Sequence, residues 1–259
     1  MTGRVAAVLL CALVISAAAA PAIARYEPGD LDLDNRRAAP SAAHWFGTDE
    51  LGRDVLARVL YGARVSLAAG LLAGLIAGGI GIVIGGVAGY AGGVLDGVLM
   101  RLTDAMLSVP RLLFLMILGA VLAPSVILLV VLVGASGWME TARVARAEIL
   151  SLRAREFVVA ARAAGAGFPR LLTRHLLRNA AGPLLVAVTL AVGRSILLES
   201  VLSFFGVGVQ PPAASWGNML YQAQTTMSTE PWLAFFPGVF IFATVLAVNT
   251  LGDALAERG

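Results

Sequence analysis

Apolar positions along this chain fall in long runs, and the charged residues collect in the stretches between them. The first run is Val5–Ala24, and the next are roughly Val65–Tyr90, Thr103–Leu122, Val126–Thr141, Leu184–Phe205 and Leu233–Leu251. Most are close to the length that crosses the hydrocarbon core of a bilayer as a helix, about 20 residues. The pattern predicts an all-α integral membrane protein of about six transmembrane helices. The first run admits two readings. Ala22-Ile23-Ala24 has the small-x-small form of a signal-peptide cleavage site, and the length suits a retained first helix equally well.

The polar stretches differ sharply in charge, and the difference predicts orientation. Residues Arg143–Arg178 hold eight arginines against two acids, Glu148 and Glu156, whereas Gly206–Pro231 holds no basic residue. Arginine-rich loops stay in the cytoplasm, so the first stretch is predicted inside and the second outside. With six spans, both termini fall in the cytoplasm and Arg25–Arg64 lies outside. A short polar tail, Asp253–Gly259, follows the last span.

Between the fourth and fifth runs stands "REFVVAARAAGAGFPRLLTRHLLRN", Arg155–Asn179. Arg143–Ala164 is rich in Ala, Arg, Leu and Glu, all strong helix formers. Gly165-Ala166-Gly167 interrupts that helix, and Pro169 suits the first turn of a new one. Arg170, Arg174 and Arg178 recur every four residues, a charged stripe on the second helix. The result is a helix–turn–helix elbow protruding into the cytoplasm. It could dock on a protein, lie on anionic lipid, or serve only as a topology signal.

Composition narrows the classes. The chain is 59% hydrophobic and 14% charged, with a mean hydropathy of +0.86, which excludes an ordinary soluble domain. All 19 basic residues are arginine. A P-loop needs a lysine to reach the β- and γ-phosphates, so this chain has no standard ATP site of its own, and a Schiff-base lysine is excluded too. Cys11 is the single cysteine; it rules out an intrachain disulfide and reads as a small buried hydrophobe or, with little support from its neighbours, as a lipid-modified cysteine. Gly70, Gly74 and Gly78 are spaced by four, as are Gly81, Gly85 and Gly89. Small residues at that spacing let helices approach closely in lipid.

The elbow resembles the cytoplasmic loop of ABC importer permeases, whose pattern is Glu-Ala-Ala, three residues, then Gly. Ala160, Ala161 and Gly165 stand at the matching positions, and Arg155-Glu156-Phe157-Val158, Arg174-His175 and Asn179 resemble the peptide-importer branch. Val159 stands where the pattern has glutamate, and Arg178 where it closes with proline. "HWFGTDELGRDVLARVLYGARVSL" (His44–Leu67) and "LSFFGVGVQPPAASWGNML" (Leu202–Leu220) resemble the second-type permease of dipeptide, oligopeptide and nickel importers. The resemblance implies a type I transmembrane fold, with 1–63 as a retained helix plus external segment and 64–258 as the permease domain. It implies a prokaryotic inner-membrane subunit that moves peptides, or else nickel or another small solute. Arg155, Glu156, Phe157, Ala160, Ala161, Arg162, Gly165 and Ala166 would then couple to an ATPase. The implied partners are a second permease, two ATPase subunits that use ATP and Mg, an external substrate-binding protein and membrane lipid. No cofactor is expected on this chain, and no nucleic acid.

Other ionisable residues fit less specific roles. Arg194 and Glu199 lie within the fifth span, where such groups face an interior or a cavity; they line the path or bind across helices. Arg101 and Asp104, three apart after Asp96, suit a local ion pair. His44 and His175 are predicted on opposite sides of the membrane, so they do not form one metal site. Trp45, Trp216 and Trp232 fall near predicted external boundaries, as an aromatic belt requires. Glu199 as the only mid-span acid argues against an ion-coupled secondary transporter, and no catalytic dyad supports an intramembrane enzyme.

Overall fold

The computed structural model of the protein describes residues 3–122 and 125–256. The helices in chain order are α1 (Gly3–Ala18), α2 (Ala20–Ile23), α3 (Val55–Ala91), α4 (Gly93–Ser108), α5 (Arg111–Val121), α6 (Val126–Ala135) and α7 (Met139–Leu152). They continue with α8 (Glu156–Ala163), α9 (Phe168–Arg170), α10 (Leu177–Asn179), α11 (Ala181–Phe204), α12 (Trp216–Ala223) and α13 (Trp232–Ala256). A π-helical turn, Leu171–Leu176, links α9 to α10. The all-α expectation holds for the described residues. Helices α3, α11 and α13 are each long and apolar enough to span a bilayer, and the bent pairs α4–α5 and α6–α7 bring the number to as many as five. The apolar α1, with 16 residues, is shorter than a full span, and Cys11 on it is exposed, not buried as expected.

Two predicted spans are thus not single helices. The third bends by 75° between Ser108 and Arg111, and the fourth by 41° between Ala135 and Met139. Pro110 explains the first break, because it has no N–H to donate and steers the preceding residue away from helix. At the second, Ser136-Gly137-Trp138 separates the helices, with the Ser136 and Gly137 amides closing back onto Leu132 and Gly134. The second predicted span is longer than expected. Asp54 starts α3 ten residues earlier by accepting from the Ala57 amide at 2.8 Å, and Gly92, at φ 65°, ends it.

Helix α3 is the axis of the bundle, and its two glycine series serve different neighbours. Gly70, Gly74 and Gly78 face Ile196, Val192 and Val188 of α11, so α3 and α11 run antiparallel. Gly81, Gly85 and Gly89 face Thr141, Ala142 and Arg146 of α7, so α3 and α7 run parallel. Five of the six glycines meet a backbone atom of the facing helix, and Gly78 meets the Val188 side chain; such close approach is what small residues at this spacing permit in lipid, where no hydrophobic effect drives helices together. The α4–α7 seam is held by charge: Arg146 donates to both carboxylate oxygens of Asp96 at 2.5 and 2.6 Å, and Arg143 pairs with Asp104 at 2.5 Å. The expected Arg101–Asp104 pair is therefore replaced, because Arg143 reaches Asp104 from the facing helix while Arg101 is exposed. Helix α1 lies along α13 and is clasped by Arg64, which donates to the Ala17 and Ala18 carbonyls at 2.7 and 2.8 Å. These carbonyls end α1 and have no intrahelical donors.

Opposite the arginine-rich elbow, residues 25–54 and α12 close the other end of the bundle. Arg53 donates to Asp49 at 2.7 Å, and Arg58 to Gln222 of α12 at 3.1 Å. His44 meets Asp54 at 2.9 Å, and the rings of Phe46 and Phe236 stack at 3.7 Å. Here the two quoted motifs, about 150 residues apart, meet. The Trp216 indole donates to the Val59 carbonyl at 3.0 Å, and its amide to Ser66 Oγ at 3.2 Å. Trp216 is fully buried, so it belongs to the core and not to an aromatic belt. Trp45 is exposed.

Candidate functional site

The elbow is built in four steps. Helix α7 stops at Leu152, and Arg153 turns back to donate to the Gly89 and Tyr90 carbonyls at 3.3 and 3.2 Å. The predicted continuous helix over Arg143–Ala164 is thus interrupted, because Arg155 takes an extended conformation and caps a separate α8. That helix ends in a Schellman motif: the Ala166 amide reaches back to the Ala161 carbonyl, and the Gly165 amide to the Arg162 carbonyl, both at 3.0 Å. Gly165 carries the required left-handed backbone, φ 84°. Pro169 then sits in the first turn of α9, as expected. From there the chain is helical almost without interruption into α11.

Val158 anchors this elbow, fully buried among Ala145, Ile149, Leu171, Leu176 and Leu184. Ala161 and Ala166 pack partly against the same cluster. The remaining predicted coupling residues, Arg155, Glu156, Phe157, Ala160, Arg162 and Gly165, are exposed. Phe157, Val159 and Phe168 add exposed apolar surface to the same elbow. Tyr90, at the end of α3, underlies it: its ring lies 4.8 Å from Phe168 and 5.7 Å from the Arg162 guanidinium. The elbow therefore has a fixed inner face, riveted to α3 and α7, and an open outer face of small, apolar and cationic groups.

The two predicted mid-span residues part company. Glu199 is buried, with 1% of its surface exposed. It accepts from Ser203 Oγ at 2.9 Å and Ser200 Oγ at 3.3 Å, and the Ser66 and Ser215 hydroxyls also reach it. These serines belong to α3, α11 and the start of α12, so Glu199 ties three elements together from inside. Arg194 instead pairs with Glu140 of α7, and about half of each side chain remains exposed. Glu140 stands one residue before the end of the fourth predicted span and near the middle of the α6–α7 pair, so the expectation that Glu199 is the only mid-span acid is corrected. His44 and His175 are at opposite ends of the bundle. Among the described residues no three His, Cys, Asp or Glu side chains are grouped to hold a metal.

Against this geometry, a family model described as the inner membrane component of binding-protein-dependent transport systems matches residues 81–258. The chain is 42% identical, over 96% of its own length and 83% of the relative's, to a protein of Brucella suis biovar 1 named as a peptide permease. It is 38% identical, over 98% of its length and 86% of the relative's, to one of Brucella abortus biovar 1 named as a peptide transport system permease. At 37% identity, over 96% of its length and 82% of the relative's, it matches the oligopeptide transport system permease protein of Bacillus subtilis.

Proposed function

This chain belongs to the family of inner membrane components of binding-protein-dependent transport systems, and from that membership we propose that it forms half of the translocation path of an ATP-driven peptide importer. The observation that carries the peptide reading is the near full-length similarity to relatives named as peptide permeases. The chain is a multi-pass membrane transport subunit. Its lack of lysine leaves it without a P-loop lysine, so the energy of transport comes from elsewhere. Two partner ATPase subunits, a second permease and an external binding protein complete the assembly in this reading. The arginine-rich elbow faces the cytoplasm, and its exposed face seats on an ATPase. Phe157, Ala160, Arg162 and Gly165 make the contact, while Val158 transmits movement to α7 and α11.

The test is reconstitution of the four-part complex in vesicles with a peptide-loaded binding protein. ATP hydrolysis should rise on adding that protein, and labelled peptide should accumulate. Phe157→Glu with Ala160→Glu, both on the open face, should abolish the stimulation while the two permeases still co-purify. Uptake that continues without ATP and follows an imposed proton or sodium gradient would overturn the proposal. Accumulation of nickel in place of peptide would overturn the substrate and keep the machine.

A further inference from the structure

Three features meet halfway along the bundle. The α4–α5 break, at Val109-Pro110, and the α6–α7 break, at Ser136-Gly137-Trp138, both interrupt candidate spans near their middles. Arg111 joins the two breaks: its Nε donates to Ser136 Oγ at 3.1 Å and its Nη2 to the Val133 carbonyl at 2.5 Å. Arg194, near the middle of the 24-residue α11, pairs with Glu140, and the two side chains are 49% and 55% exposed. Arg111 has no acidic partner among the described residues. A recess lined by Met106, Val109, Arg111, Phe114, Ser136 and Met139 opens beside it.

Physics restricts what this face can look out on. Non-helical backbone at membrane depth is tolerated only where it is buried in protein or lines a water-filled cavity. Ionisable side chains at that depth obey the same restriction. A half-open Arg–Glu pair against lipid chains would leave unused donors and acceptors in hydrocarbon. The net charge of Arg111, Arg194 and Glu140 is one positive unit. Glu199 does not compensate it, because its carboxylate is enclosed by serines on the α3 and α12 side.

Resting on the transport reading above, we infer that Arg111, Glu140 and Arg194 line the hydrated path and that the surplus guanidinium there receives the carboxylate of the passing solute. Arg111 is preorganised for it. Two of its five donors are fixed by Ser136 and Val133, which hold the planar fork in place and leave the others for a bidentate acceptor. The Arg194–Glu140 pair keeps the rest of the surface near neutral, so that the solute is held and then released. Discontinuous helices at the midplane are also where transporters of other designs place their sites.

Two measurements on the whole complex test this. In a background with Cys11→Ser, single cysteines at Glu140→Cys and Arg194→Cys should react with a small charged thiol reagent, whereas Val8→Cys, exposed on α1, should not. Failure of both to react, with peptide uptake intact in the unsubstituted complex, sinks the inference and leaves the transport reading standing. Absence of uptake in the unsubstituted complex sinks the transport reading itself. The second measurement compares a tripeptide with its C-terminal amide, each delivered by saturating binding protein. Arg111→Gln should lower uptake of the free acid about tenfold, the effect of one lost charge-assisted hydrogen bond, and change the amide less than about twofold. Arg111→Lys, which keeps the charge but loses the planar fork, should retain only part of the preference. Equal losses for acid and amide in both variants would make Arg111 a structural strut and overturn the carboxylate role.

Discussion

Gly74 of α3 lies so close to Val192 of α11 that a Cβ on the glycine would sit 2.5 Å from the valine Cα. Backbone meets backbone there, and no side-chain rotation relieves an added methyl group. Gly79, five residues further along the same helix, has nothing within 4 Å of such a Cβ. The two glycines are alike in sequence context and opposite in consequence.

Gly74→Val should therefore force α3 and α11 apart and destabilise the bundle by about 1–3 kcal/mol, the usual cost of overpacking a tight core. Gly79→Val should be near neutral. Thermal unfolding of the detergent-solubilised complex, followed by loss of co-purifying partner, measures both. Equal melting of the two variants would show that the glycine spacing does not set the helix contact.

The spacing of these glycines was readable because a period of four on an apolar run has few other uses. Which neighbour each series takes was not, since the sequence carries no sign of whether α7 or α11 lies opposite. Pro110 marks one helix break openly. Ser136-Gly137-Trp138 marks the other weakly, because small residues are common inside membrane helices, and its importance emerges only when Arg111 crosses to it. At the elbow, Gly165 and Pro169 announced the turn correctly. The stop at Arg153–Arg155 left no trace in helix propensity, since arginine and alanine favour helix on both sides of it. Trp216 misled for a physical reason: an indole near a span boundary suits the interface, but here its N–H found the Val59 carbonyl inside.

Gly165 permits a clean separation of folding from docking. Its backbone is left-handed, but nothing stands within 4 Å of an added Cβ. Gly165→Ala should cost about 1 kcal/mol in local strain and leave uptake largely intact. Gly165→Arg carries the same strain and adds a bulky cation to the outer face of the elbow. Membrane insertion and pairing with the second permease should survive, whereas ATPase co-purification and uptake should fall at least tenfold. Matching behaviour of the two variants would mean that strain alone matters and that this face does not dock.

Glu199 supports an independent prediction about the far end of the bundle. Its carboxylate is the shared acceptor for Ser200 and Ser203 of α11, with Ser66 and Ser215 alongside. Two of those serines hold α12 in turn: Ser66 accepts from the Trp216 amide at 3.2 Å, and Ser215 caps the helix at the Asn218 amide, also at 3.2 Å. Glu199→Leu removes the acceptor and leaves the buried Ser203 hydroxyl proton without one, whereas Ser200 keeps the Ile196 carbonyl; the cost is roughly 1–3 kcal/mol. Glu199→Gln preserves shape and one carbonyl acceptor, so it should cost less. Because the disturbance reaches α12 before the glycine contacts, it should first show as faster proteolysis between Gly206 and Pro231, while the α3–α7 seam stays closed. A path-lining glutamate would behave differently: both substitutions would leave this loop resistant and alter only uptake. Limited proteolysis and uptake measured on the same vesicles decide between the two.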